Sequence, residues 1–480
     1  MNRLPLIKTL NLSCLAAVLL AAGCAVGPDY KRPAPLENSP SPAAFSGMAP
    51  TNSEWKTATP AAHLPRGPWW EVFGDAELNR LETQAATNNQ QLAASLANLE
   101  QARAQLGVSE AGFFPQLTLA PGLTRQRTSA HSLTRSSSTY NSFSVPLDAS
   151  WELDLWGRVR RSVEGSRARM TASQDDLESL KLSIQATVAS SFFTLRAYEA
   201  QIQLLRETAV TYAHSLKLTQ DRHASGIASD LDVSQAETQL RAAEAEIPAL
   251  QLQRANLQNA LAVLCGQAAT LFEIANSTTA AALPLIPAGI PSEVLEHRPD
   301  VAAAERRMAA ANADIGVSCG AFFPTVTLSG MAGFQSVSAS TLLNWNSRAW
   351  SFGPSLSLPI FSGGKNRAQL ASSKAAYNAA LANYRQTVLS AFQDVENQLA
   401  AQRLLASQFQ AENAALISAR RTLDISLERY KGGVVTYLEV ATAQNTALAH
   451  EESVVQLNAS RLNAAVSLIK SLGAGWTPAK

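Results

Sequence analysis

The sequence predicts an α+β membrane protein made of one unit written twice, and three observations lead there. The first is the repeat: Gly107-Val108-Ser109, Phe113-Phe114-Pro115 and Leu117-Thr118-Leu119 return as Gly316-Val317-Ser318, Phe322-Phe323-Pro324 and Val326-Thr327-Leu328. A further match pairs Arg222, Gly226, Leu231 and Asp232 with Arg429, Gly433, Leu438 and Glu439. A duplicated unit that carries both strand-like and helix-like segments makes a pseudo-symmetric body. The second is strict alternation: Phe143, Val145, Leu147, Ala149, Trp151 and Leu153 interleave with Ser142, Ser144, Asp148, Ser150 and Glu152, giving a strand with one apolar and one wet face. The third is a pair of very long helical runs.

The elements follow in order. Residues 1–23 form a processing segment, with Arg3 and Lys8 before a mostly apolar stretch that ends in Ala21-Ala22-Gly23 ahead of Cys24. It resembles a bacterial lipoprotein signal, which makes Cys24 the acylated mature N-terminus; no other covalent or bound cofactor is expected. Residues 24–74 are rich in Pro, Ala and Ser and read as an extended arm. The first repeat occupies 75–279. It opens with one short helix over 75–112, where Leu78, Leu81, Leu92, Leu96 and Leu99 keep helical spacing. A weak strand over 115–127 and the alternating strand over 143–155 come next. A helix over 158–224 has no proline, and a return helix over 230–264 contains Pro248, expected to kink it. A Pro/Ala linker, 280–291, joins the second repeat, 292–472, with a helix, strands over 324–336 and 350–360, a long helix over 364–431 and a return helix over 436–472. Residues 473–480 are a tail. At 1.5 Å per residue the long helices span roughly 100 Å each.

Net charge of +1 with 16% charged residues excludes a whole-chain basic field for nucleic acid. Cys14 leaves with the signal, so Cys265 and Cys319 remain, expected as free, packed thiols. No metal site is expected, because the six histidines form no pair at helical spacing, and Ser362-Gly363-Gly364-Lys365 holds only the tail of a phosphate loop. It reads as a strand-to-helix turn, and no enzyme site emerges. Four amphipathic strands cannot close a barrel, and an open edge in lipid leaves backbone groups unsatisfied at several kcal/mol each. The chain must therefore oligomerise if its strands enter a membrane. Trp151, Trp156, Trp345 and Trp350 suit interfacial girdles.

Several ordered motifs then carry a family resemblance: Gly67-Pro68-Trp69-Trp70, Trp151-Glu152-Leu153-Asp154-Leu155-Trp156-Gly157-Arg158, Arg298-Pro299-Asp300-Val301, Pro359-Ile360-Phe361-Ser362-Gly363-Gly364, and the stretch 430–444. Over essentially the whole mature chain these resemble the outer membrane factors of tripartite efflux systems, and most of all the lipoprotein, NodT-type branch of the TolC-like family. The resemblance implies a homotrimer: a twelve-stranded outer-membrane β-barrel, four strands per chain, continued by a long periplasmic α-helical barrel. It implies a passive exit duct for small molecules, a periplasmic adaptor, an inner-membrane RND-type pump, and outer-membrane localisation with a lipid anchor. An outer-membrane partner of type I protein secretion shares the fold and stays the alternative. A lipid-anchored adaptor is the weaker one, since adaptors carry one helical hairpin rather than two.

The two helix-turn-helix tips are the candidate site. Arg222, Gly226 and Ser229 in one, and Arg429, Gly432, Gly433 and Tyr437 in the other, are assigned to adaptor docking. Asp230, Asp232, Glu439 and Thr442 are the candidate gate. Relatives often place an aspartate where this chain has Thr442, so a ring of carboxylates at that position is replaced here by other nearby acids. If Asp230, Asp232 and Glu439 repeat around a threefold axis, crowding of like charge raises their pKa values.

Overall fold

The computed structural model describes residues 25–34, 67–131, 137–277, 283–284 and 297–474. The signal segment 1–23, Cys24, most of the arm to 74, nearly all of the linker 280–291 and the end of the tail lie outside the described residues. The chain divides into two compact units.

The first unit holds the described parts of Met1–Ala34, Asn98–Gln174 and Ala303–Arg385. It contains the strands β1 (Gln116–Leu119), β2 (Gly122–Arg127), β3 (Thr139–Leu153), β4 (Thr325–Ser336) and β5 (Arg348–Ser357). β1 and β2 both pair with β3, which pairs with β4, which pairs with β5, all antiparallel. The expected strand over 115–127 is thus one lane in two pieces. It breaks at Ala120-Pro121, where proline has no N–H to give to the ladder, although the Ala120 amide still donates to Pro146 O at 3.2 Å. Register sorts the faces as the alternation requires: Val145 lies opposite Phe334, Leu147 opposite Ala332 and Trp151 opposite Leu328, while Ser144 lies opposite Gln335 and Glu152 opposite Thr327. β5 stops at Ser357, three residues short of the expected end at Ile360. Of the expected girdle, Trp345 and Trp350 are exposed, but Trp156 is turned inward. Its ring lies 5.1 Å from that of Phe323, and its Nε1 donates to Pro324 O at 2.8 Å.

Residues 25–34 are fastened within the same unit. The Val26 amide donates to Trp156 O at 2.9 Å, buried Arg161 donates to Asp29 at 2.6 Å, Asn312 donates to Pro28 O at 3.0 Å, and the Tyr30 hydroxyl donates to buried Glu305.

The second unit holds the described parts of Pro35–Ala97, Asp175–Ala302 and Gln386–Lys480. Among the described residues of both units the long helices are α1 (Ala76–Asn88), α2 (Gln90–Glu110), α3 (Arg158–Ala224), α4 (Asp230–Leu264), α5 (Pro299–Gly320), α6 (Lys365–Lys431) and α7 (Tyr437–Ser471). The single helix expected over 75–112 is broken at Asn89, whose side chain caps α2 by accepting from the amides of Gln91 (2.9 Å) and Leu92 (3.1 Å) and donates to Leu264 O at 2.8 Å. α4 runs through Pro248 without interruption. The main apolar core joins Trp69, Phe73, Leu78, Leu81, Phe192 and Ile469. Arg298 is salt-bridged to Asp300 at 2.6 Å and to Asp394 at 2.9 Å, so the Arg-Pro-Asp motif that opens α5 has a structural task. Cys265 and Cys319 are free thiols, and burial pushes the Cys265 thiol up to about 11.

Candidate docking and gating tips

Each tip is a helical hairpin turn whose geometry follows from one glycine. α3 ends with the Gly226 amide donating to His223 O (2.8 Å) and the Ile227 amide to Arg222 O (2.9 Å). α6 ends the same way, Gly433 to Tyr430 O (3.0 Å) and Val434 to Arg429 O (3.0 Å). These paired bonds form a Schellman cap, which needs a left-handed residue after the helix; Gly226 (φ 74°) and Gly433 (φ 73°) supply it, whereas Gly432 has an ordinary φ. Both glycines face open space or, for Gly433, the outer end of the Arg222 side chain at 3.6 Å. Their first duty is therefore to let the chain reverse.

Ser229 caps α4 in a reciprocal box. Its Oγ accepts from the Asp232 amide at 3.2 Å, and Asp232 Oδ2 accepts from the Ser229 amide at 3.0 Å. Asp232 does more than cap, because its Oδ1 accepts from the Tyr437 amide at 3.3 Å, on the other tip. Arg222 reaches the same way, donating to Lys431 O at 3.0 Å with its guanidinium 4.7 Å from the Tyr430 ring centroid. The first-repeat arginine and aspartate thus tie the two hairpins of one chain together. Their counterparts behave differently. Arg429 and Glu439 are paired with each other at 2.7 Å, with Ser426 also donating to Glu439 at 3.4 Å.

Beneath the turns lies a small core of Ala236, Tyr430, Tyr437 and Val440. The Tyr430 and Tyr437 rings meet edge to face at 5.5 Å. The Tyr437 hydroxyl donates to Gln444 at 3.1 Å, and Gln444 donates to Ser215 at 3.2 Å. Tyr437 is fully buried, so its side chain offers nothing to a docking partner, contrary to its assignment from sequence. Its place is structural. Asp230, in the first turn of α4, is exposed and suits the helix N-terminus. Thr442 is exposed and its hydroxyl bonds back to Leu438 O at 2.8 Å.

Within one chain the charge environment of Asp232 runs opposite to the crowding expected around a threefold axis. Partial burial pushes its carboxyl up, but the bonds from Ser229 and the Tyr437 amide, with the nearby Arg222 charge, together outweigh it and hold the group below the usual aspartate range.

Sequence reasoning passed over the apolar residues at the turns. Ile227 (67% exposed) and Leu231 (65%) in one tip, and their counterparts Val434 (70%) and Leu438 (58%) in the other, stand in solvent. The signal was there: the repeat keeps the same two apolar positions where a solvated turn needs none. Beside the second tip a groove of about 440 Å³ is lined by Thr422, Ser426, Leu438, Glu439, Thr442 and Thr446. Among the described residues no cluster of His, Cys, Asp or Glu is placed to hold a metal ion.

The profile of the outer membrane efflux protein family matches residues 81–267 and 290–474, one segment for each repeat. The chain belongs to the outer membrane efflux protein family. It is 34% identical over 473 residues to the outer membrane protein OprJ of Pseudomonas aeruginosa, covering 97% of this chain and 96% of OprJ. It is 31% identical over 465 residues to the cation efflux system protein CusC of Escherichia coli, covering 96% of this chain and 98% of CusC. The solved outer-membrane channel OprN superposes with a TM-score of 0.84 at 31% identity, over 95% of this chain and 100% of that one. This efflux protein accordingly resides in the outer membrane, and its family is one of transport channels.

Proposed function

We propose that this chain is the exit duct of a tripartite efflux system, fed by an inner-membrane pump through a periplasmic adaptor. Its observed counterpart is the sheet: both outer lanes, β1/β2 on one side and β5 on the other, have no strand partner among the described residues. An open edge in hydrocarbon is costly, so the sheet calls for further copies of itself. Three copies make a twelve-stranded barrel, with the helices of the three chains forming a helical barrel through the periplasm. The duct is passive; energy and most selectivity belong to the pump. Ile227, Leu231, Val434 and Leu438, with Arg429 at the rim, are the surface for the adaptor. The Arg222 and Asp232 ties hold the entrance closed. Native mass spectrometry of detergent-extracted protein is expected to give a trimer, and a stable folded monomer would overturn the architecture. Deleting the gene is expected to raise intracellular accumulation of the pump's substrates; unchanged accumulation with no second channel present would remove the efflux role.

Cys24 carries the anchor in this reading. The Val26 amide is held on Trp156 O, just past the end of β3. Each CH₂ of an acyl chain on Cys24 that enters the membrane contributes roughly 0.8 kcal/mol of attachment. Mass spectrometry of the mature protein is expected to find an acylated Cys24 at its N-terminus, and an unmodified N-terminus elsewhere would dispose of the lipoprotein assignment.

A further inference from the structure

The arginines of the strands fall on the apolar face of the sheet. Odd-numbered residues of β3 from Phe143 to Leu153 form that face, and residues directly opposite one another share it. Register therefore puts Arg125 there opposite Asn141, Arg127 opposite Thr139, and Arg348 opposite Phe334, itself opposite Val145. All three are exposed. The long helices join the sheet at the ends marked by Gln116, Leu153, Thr325 and Ser357, so the arginines stand at the far end, beside the connections 128–138 and 337–347. Neither Arg125 nor Arg127 has an ion pair or a side-chain hydrogen bond among the described residues. Arg348 starts lower on the face, but its guanidinium is turned toward the connection, 4.8 Å from the Trp345 ring centroid and donating to Trp345 O at 3.0 Å. Residues 111–147 and 321–364 contain no Asp or Glu to balance these charges, and the first connection adds His131 and Arg135.

We propose that Arg125, Arg127 and Arg348 bind the phosphate groups of an anionic glycolipid in the outer leaflet of the outer membrane. This rests on the duct proposed above, which puts the helices in the periplasm and the connections at the cell surface. Three observations carry it. The first is depth. From Phe143 to Leu153 the face is apolar over a rise of roughly 33 Å along the strand, which a tilt of about 40° turns into the roughly 25 Å of an outer-membrane barrel's apolar band. The arginines then stand at the outer boundary of that band, at headgroup level. The second is direction. The opposite face near them is the polar one, carrying Thr124 and Ser142, with Gln126 donating to the Tyr140 hydroxyl, so the arginines face lipid and not the channel. The third is chemistry. A guanidinium offers a planar fork of donors that matches a phosphate bidentately, and like charges gathered without an acid need an anion between them. β2 and β5, which carry the arginines, are outer lanes of the sheet, so closing the barrel gathers arginines of neighbouring copies into one basic patch.

The test is native mass spectrometry of the full-length protein in detergent, counting the lipid molecules retained on the oligomer during titration with lipid A that carries two phosphates and with the same lipid dephosphorylated. The bisphosphorylated lipid is expected to bind the parent about a hundredfold more tightly, each arginine at an anionic headgroup supplying about a fivefold share. Equal binding of the two lipids overturns the site and leaves the duct standing. Arg125→Gln with Arg127→Gln and Arg348→Gln is expected to bring the bisphosphorylated lipid down to the level of the dephosphorylated one at unchanged oligomer mass. Tight binding kept by this triple variant overturns the arginine site. Arg125→Gln alone, the milder change, is expected to weaken binding about fivefold, and no loss removes Arg125 from the site. Inorganic phosphate at millimolar concentration is expected not to displace the bisphosphorylated lipid, whose acyl chains lie along the apolar band. Displacement would make the patch a site for the free anion and overturn the lipid. A monomeric mass removes the duct reading together with the site.

Discussion

Removing the Arg222 and Asp232 ties together, as Arg222→Ala with Asp232→Ala, is expected to raise the open probability of the purified channel in planar bilayers by roughly two to four orders of magnitude. The size comes from the bonds lost. A hydrogen bond to a charged group contributes roughly 1.5–3 kcal/mol, and each 1.4 kcal/mol is a factor of about ten in an equilibrium. Arg222 donates to the Lys431 carbonyl and Asp232 accepts from the Tyr437 amide, so both span the two hairpins of one chain. Arg429→Ala with Glu439→Ala removes a pair that is local to one hairpin at 2.7 Å and is expected to change conductance far less. Equal effects of the two double variants would remove the tip-to-tip ties from the gate. The pH response has a definite sign. The Asp232 carboxyl is held below its ordinary value, so its contribution is complete above the ordinary aspartate range and is lost only as pH falls through the lower folded value. The gate is therefore expected to stay shut through neutral and mildly acidic pH and to loosen only in stronger acid.

Much of this was legible in the sequence because the signals were long and periodic. The proline-free runs gave α3 and α6 their ends to within a residue, and the 2-residue alternation of 143–153 set which face of β3 is apolar. What the sequence hid were contacts between distant segments. Asn89 breaks the first short helix because its side chain caps α2 and reaches Leu264, a partner that periodicity cannot reveal. Tyr437 looks like a surface tip residue by position, yet Tyr430 and Gln444 take up its ring and its hydroxyl. Asp232 and Glu439 match in the repeat but not in partner, since one bonds across hairpins and the other to its neighbour Arg429. The early end of β5 has the opposite origin. Its three residues are strand-like in pattern, and Pro359 takes one donor from them, but a strand also needs another strand beside it.

Replacing Glu82 with methionine is expected to stabilise the protein by on the order of 3 kcal/mol at neutral pH. Glu82 sits on α1 among Leu78, Leu81 and Ala85, all fully buried, and neither of its carboxyl oxygens has a hydrogen-bond partner among the described residues. Burial alone pushes its pKa from 4.5 up to about 9, so the folded protein keeps the group protonated at pH 7. The unfolded chain ionises it. Folding at pH 7 must therefore take up a proton against about 2.5 pH units, at about 1.4 kcal/mol each. Because the folded value is the higher one, the cost is absent below the ordinary glutamate range, grows with pH above it, and levels off near 9. Denaturant unfolding in detergent across that range is the measurement. The parent is expected to lose stability steadily as pH rises, while Glu82→Met flattens this part of the profile and fills the same space with an unbranched apolar chain. Glu82→Gln is expected to flatten the profile equally but to gain less, because its amide is left buried without partners. If the parent and Glu82→Met follow the same pH dependence, Glu82 is not carrying the buried proton. The side chain would then be ionised in the core, with a cation or water beside it that its neighbours on α1 do not provide.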